Sequence, residues 1–228
     1  MLCLSARESV LTCEVFPPLN VSRGEWELGL VDLTTFHSIP NIETGVNDKF
    51  YYADKVITIE EGAYEIDNIG AYIRKQLPDS VKFELKANNN TLKTEISCSE
   101  PIHFKDQSLA TLLGFKSDTT LEPNKVHSSP EPVDILRVNV IRVECNIVRG
   151  SYDNGAESHV LHEFYPLVEP GFKIVESPNP IIYLPLNVRQ INNVTVTLKD
   201  QCGRLVNFRK ETISVRLHLR RRRDGVGI

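Results

Sequence analysis

Apolar and polar residues alternate with a period of two in stretch after stretch of this chain. Side chains on a β-strand point to opposite faces in turn, so each such stretch reads as a strand with one buried side. Leu11, Cys13 and Val15 alternate with Thr12 and Glu14. Trp26, Leu28 and Leu30 alternate with Glu25, Glu27 and Gly29. Val194, Val196 and Leu198 repeat the pattern with Thr195, Thr197 and Lys199. Ile213, Val215, Leu217 and Leu219 repeat it with Ser214, Arg216 and His218. Val81, Phe83 and Leu85, then Leu92, Thr94 and Ile96, flank Asn88-Asn89-Asn90. Asparagine tolerates the left-handed backbone of a tight turn, so residues 81–97 are expected to form a hairpin. Asp200-Gln201-Cys202-Gly203 fits a type I turn closed by a left-handed glycine, which suggests a second hairpin running from Val194 to Leu219. Between 135 and 148 the apolar phase switches, which suggests a bulge near Val140 or burial on both faces.

One segment breaks the period. Val56 to Leu77 reads as a strand, a turn at Gly62 and a helix over about 64–77. Ile66, Ile69, Ile73 and Leu77 form one apolar stripe, Tyr72 lies beside it, and Pro78 ends it. Gly70 weakens the helix by ~1 kcal/mol relative to alanine, which points to close packing there. A shorter helical turn is expected at Ser108–Leu113 after Asp106. Loops are expected at Ile39–Asp48, Lys116–Pro132 and Ser151–Glu157. The second of these holds three prolines in 17 residues and shows no periodicity.

A strand-rich chain of 228 residues is within the range of one all-β domain. With 41% hydrophobic and 25% charged residues it has the make-up of a globular protein. No apolar run approaches the ~18 residues that span a bilayer, and MLCLSARESVLTCEV lacks the basic start and apolar core of a secretory signal. The expectation is no membrane association. Cys3, Cys13, Cys98, Cys145 and Cys202 are odd in number and form no CxxC pair. A zinc ribbon is disfavoured, and a reducing compartment is the simpler inference.

Reaction chemistry is hard to find. There is no Walker loop, no GxGxxG and no GxSxG. His159 and His162 are three apart, which puts them on opposite faces of a strand and disfavours one shared metal. Cys98 and His103 supply two ligands where zinc needs four. Glu60-Glu61 reads as a solvated turn before the helix. Of the adjacent Tyr51 and Tyr52, one must face outward. The expectation is no enzyme, no cofactor and no metal.

Charge is uneven. Net charge is −4, yet residues 199–228 hold nine Lys or Arg against three Asp or Glu. That end carries +6 and the rest −10. Arg220, Arg221, Arg222 and Arg223 concentrate it, and read as a tail for packaged nucleic acid, a contact with an acidic neighbouring protein, or a solvated end. No aromatic residue interleaves the run to stack on bases. On this reading residues 1–219 form one domain and 220–228 a basic tail.

Several motifs then share an order. They are Trp26-Glu27-Leu28-Gly29-Leu30-Val31-Asp32-Leu33-Thr34-Thr35-Phe36 with Ser38-Ile39-Pro40-Asn41-Ile42, and Ile59-Glu60-Glu61-Gly62-Ala63-Tyr64-Glu65-Ile66. Leu112-Leu113-Gly114-Phe115, His162-Glu163-Phe164-Tyr165-Pro166 and Ile182-Tyr183-Leu184-Pro185-Leu186 follow, then the stretch from Val194 to Leu219. Across residues 24–219 the chain resembles the penton-type minor capsid proteins of Polinton (Maverick) elements and adintoviruses. Each piece alone is weakly specific; their order is what resembles the family. The resemblance implies a single jelly-roll β-sandwich carrying the amphipathic helix as an insertion. It implies a homopentamer at the vertices of an icosahedral capsid, set among double jelly-roll major capsid proteins. It further implies a virion location, with assembly in the host nucleus or cytoplasm and an integrated element as one source of the gene. About ten strand candidates are enough for the eight strands of a jelly roll. The competing readings are a jelly-roll attachment module for a glycan or receptor, and a cupin-like metalloenzyme.

Overall fold

The computed structural model describes residues 1–222. Its chain packs as two compact units, where one domain was expected: residues 1–39 with 138–222, and residues 40–137. In chain order the first unit begins with β1 (Leu2–Ala6), β2 (Val10–Asn20) and β3 (Trp26–Phe36). The second unit holds β4 (Lys49–Tyr52), β5 (Lys55–Thr58), α1 (Ile66–Gln76), β6 (Phe83–Asn88), β7 (Lys93–Cys98), β8 (Ile102–Phe104), β9 (Thr119–Leu121) and β10 (Val126–Ser128). The chain then returns to the first unit through β11 (Ile141–Cys145), β12 (Ser151–Asp153), β13 (Ala156–Ser158), β14 (Val160–Phe164), β15 (Lys173–Glu176), β16 (Tyr183–Pro185), β17 (Gln190–Lys199) and β18 (Ile213–Arg221).

The first unit is a jelly roll by strand order. One antiparallel sheet runs β1-β18-β3-β15, with β16 beside the first half of β3; the other runs β14-β11-β17-β2. Setting aside the small β12–β13 hairpin and taking β15 and β16 as one interrupted strand leaves eight strands. Their order is first-eighth-third-sixth in one sheet and second-seventh-fourth-fifth in the other, two interlocked Greek keys. Alternation supplies the core: Leu11, Leu28, Leu30, Val143, Val194, Val196, Val215 and Leu217 all point between the sheets. In β3 the alternation shifts phase at Val31, which is passed over between the pairs Leu30–Leu217 and Asp32–Arg216. This bulge lets both Leu30 and Leu33 face inward.

Two local expectations change. β17 and β18 do not form a hairpin. The turn at 200–203 has the expected form, with Gly203 at φ 78° and Asp200 Oδ1 accepting from the Cys202 and Arg204 amides. It closes only the bridge Lys199–Leu205. Val206 and Phe208 then bury in the core, and the chain reaches β18 in the opposite sheet. The phase switch at 135–148 marks no bulge at Val140. β11 begins at Ile141, and the irregularity falls on its partner β14, where Leu161 is passed over.

The second unit is an insertion between the third and fourth sandwich strands, and it has its own core. Two sheets, β5-β4-β8-β9 and β10-β7-β6, are joined by α1. Ile66, Ile69 and Ile73 bury the helix stripe. A Cβ at Gly70 would sit 3.3 Å from Leu85 Cβ on β6, which is the close packing the sequence suggested. The hairpin at 81–97 forms as β6–β7. The prolyl stretch 116–132 is less bare than expected: β9 pairs with β8, and β10 with β7. Three-residue strands are too short to show a period. Ser108–Leu113 makes one turn, closed by Leu113 N–H donating to Leu109 O at 3.0 Å. Among the described residues no helix is long and apolar enough to cross a membrane.

Candidate interaction face on the C-terminal strand

β18 lies between β1 and β3, so its alternation is read on two sides. Ile213, Val215 and Leu217 are fully buried. Ser214, Arg216, His218 and Arg220 therefore project from the outer face of the sheet. The register sets their partners. Arg216 stands opposite Asp32 and Arg220 opposite Glu27. Cross-strand neighbours with opposite charges attract, and these two pairs have closed.

Arg216 grips Asp32 with two donors, Nε to Oδ1 at 2.9 Å and Nη2 to Oδ2. The Asp32 carboxylate pushes the Arg216 guanidinium above its ordinary value, first through that hydrogen bond and then through its charge. Arg220 Nε donates to Glu27 Oε2 at 2.9 Å, and its guanidinium lies 3.4 Å from the centroid of the Tyr183 ring. Tyr183 Oη shares a hydrogen bond of 2.8 Å with His218 Nδ1. Arg222 Nη1 donates to Glu25 Oε2 at 3.0 Å. The Arg221 side chain lies against Gly24, where a Cβ would come within 2.4 Å of its Nε.

The expected tail is therefore in part a strand. Arg220 and Arg221 belong to β18, and Arg222 is tied to β3's approach by its own N–H donating to Glu25 O at 2.7 Å. Arg223 lies outside the described residues. Of their acidic partners, Glu25 and Glu27 were read in the sequence only as polar positions of a strand, and Asp32 only as part of the Trp26–Phe36 motif. The signal that could have found Glu25 and Glu27 is their alternation, matched by that of the arginines at 220 and 222; Asp32 is put out of phase with it by the bulge at Val31. What the sequence could not provide was the register.

The other singled-out residues hold the fold. His159 Nδ1 donates to Val148 O at 2.7 Å, and His162 Nε2 donates to Glu176 Oε1 at 2.8 Å. His103 Nδ1 lies 3.1 Å from Thr120 Oγ1, while Cys98 is buried. Burial pushes the Cys98 thiol up, and pushes Cys145 up to about 11, so neither is a poised nucleophile. Tyr52 is buried and Tyr51 looks outward under Lys105. Glu60 offers its carbonyl to Tyr64 Oη at 3.0 Å. Among the described residues no three His, Cys, Asp or Glu converge on a metal position.

Two of the recurring motifs meet. Asn41 Nδ2 donates to Tyr64 O at 2.8 Å and to Ile135 O at 3.2 Å, and its Oδ1 accepts from Tyr64 N at 2.9 Å. Ile42 bridges Gly62 beside it. Gly114, at φ 77°, passes so close to Glu131 that a Cβ would lie 2.2 Å from the Glu131 carbonyl oxygen.

No protein-family profile matches the chain, and no curated protein matches it in sequence. Among solved structures it is similar to the mavirus penton protein, at 13% identity and a TM-score of 0.47, over 95% of this chain and 92% of that one. It is similar also to a chain of the Sputnik virophage, at 12% identity and 0.41, over 93% and 92%. Matches of that strength establish neither a family nor a function, and the jelly-roll assignment rests on strand order alone.

Proposed function

We propose that the chain is a structural capsid subunit, a penton-type minor protein that forms homopentamers at the vertices of an icosahedral shell. It sits among double jelly-roll major capsid proteins, in the virion of a Polinton-like virus or element, after assembly in the host nucleus or cytoplasm. The observation that carries this reading is the ordered run of motifs from Trp26 to Leu219, because most of its pieces serve architecture. They supply β3, the Asn41 clamp onto the turn before α1, the Gly114 crossing, the end of β14, β16 and the two central strands β17 and β18. A jelly roll hosts many functions, so the fold is compatible with the reading without selecting it.

The arginines fit a protein neighbour better than packaged DNA. Arg220 and Arg222 already face carboxylates of their own sheet, and a phosphate backbone would have to displace Glu25 and Glu27. The test is the mass of the purified chain in solution, with electron microscopy, alone and mixed with the major capsid protein. Five-fold rings are the expected result. A chain that stays monomeric at every concentration and salt, and does not join the major protein, overturns the assignment.

A further inference from the structure

Near the Arg222 end of the jelly roll lies a cleft of about 370 Å³ whose lining is both apolar and cationic. Val21, Leu186 and Val188 give it aliphatic surface, and Trp26 adds an aromatic ring. Arg149, Arg189 and Arg222 line it too, with Glu25 as the lone carboxylate among these residues. Arg222 is engaged by Glu25. Arg149 and Arg189 are exposed, and neither side chain pairs with a carboxylate among the described residues. Two unpaired guanidiniums beside one depression attract an anion, and the Arg fork matches a carboxylate with two parallel hydrogen bonds.

We infer that this cleft binds an acidic peptide segment of a neighbouring protein, one apolar side chain entering it while flanking carboxylates meet Arg149 and Arg189. A phosphodiester strand is the poorer fit. It needs cations along a continuous track, and here Glu25 interrupts them. Aliphatic lining favours a Leu-like anchor, as at the centre of protein interfaces, where apolar groups are surrounded by polar ones. The cleft lies within one copy, so binding is testable whatever the oligomeric state of the chain.

Trp26 is the chain's single tryptophan and lines the cleft, so its emission reports occupancy. The probe is the end-capped peptide Glu-Glu-Leu-Glu-Glu, titrated against the full chain at low ionic strength and checked by calorimetry. A saturable change is expected, absent with Gln-Gln-Leu-Gln-Gln. Arg149→Gln and Arg189→Gln should each weaken it roughly tenfold. Lys82→Gln, on the other unit, should leave it within about twofold. Both arginines are exposed, so unchanged circular dichroism of their variants is expected and separates lost binding from lost folding. No saturation at millimolar peptide overturns the inference. So does equal binding of the uncharged peptide, indifference to both arginine changes, or an oligothymidylate that binds more tightly through the same two arginines.

Discussion

Asp32 is a carboxylate with 6% of its surface exposed, and Arg216 makes that burial tolerable. Removing the arginine leaves an uncompensated charge under the sheet surface, whereas removing both charges does not. Arg216→Ala should therefore lower the urea midpoint, and the double variant Asp32→Asn with Arg216→Ala should regain part of the loss. Cys145 is a different case, since its thiol is buried without a charge partner and burial raises its pKa from 9.0 to about 11. The folded chain thus holds this proton more tightly than the unfolded one. Its contribution is complete below pH 9 and is lost as pH rises toward 11, about 2–3 kcal/mol in all. Alkaline unfolding curves should show that loss, and Cys145→Ala should flatten it. At this scale the sequence was informative about faces and silent about partners. Unbroken alternation from Leu28 and Leu30 would turn Asp32 inward; the bulge at Val31 puts it on the outer face instead, where its burial comes from Arg216, a partner the sequence does not name.

Among the elements, the turn into α1 depends on one side chain. Asn41 satisfies the Tyr64 amide and two carbonyls at once, in a site only 8% exposed. Asn41→Ala leaves those groups unpaired and should cost about 2–3 kcal/mol by denaturant unfolding. The helix itself was readable from spacing alone: Ile66, Ile69 and Ile73 are buried, and Leu77, the residue before Pro78, forms its cap. Alternation did not pick out β1 or β14, five residues each, but β2, β3, β6, β7, β17 and β18 were readable in the same way. β9 and β10 were not, because three residues carry no period and their pairing comes from neighbours on β8 and β7. The supposed final hairpin failed for a related reason. Local turn chemistry at Asp200–Gly203 was read correctly, but Val206 and Phe208 decide which sheet receives the next strand, and that is a property of the core.

For the whole molecule, the division into two units was the least legible feature. Nothing in composition marks residues 39 and 138, since both units are built from alternating strands with similar polarity. The ends of the insertion are held together from within: Asn41 reaches Ile135, and Arg137 Nη1 lies 3.1 Å from Glu43 Oε1. Replacing residues 40–137 by a short glycine-serine linker should therefore leave a soluble jelly roll with a cooperative unfolding transition, measured by calorimetry and circular dichroism. Aggregation of that shortened chain would count against an independent core. The strand order has a kinetic side as well. β17 and β18 are middle strands, hydrogen-bonded on both flanks, and they follow the insertion in the chain. β1 waits for a partner that pairs Leu2 with Leu217, while the insertion closes on contacts made within its own span. Pairings so distant in sequence are slow to form, because loop closure must precede any gain in contact energy. During synthesis the insertion can fold early, but neither jelly-roll sheet can close until β17 and β18 have emerged. A chain halted before β17 thus leaves β2 and β11 unjoined, and β1 and β3 stay apart until β18 comes between them.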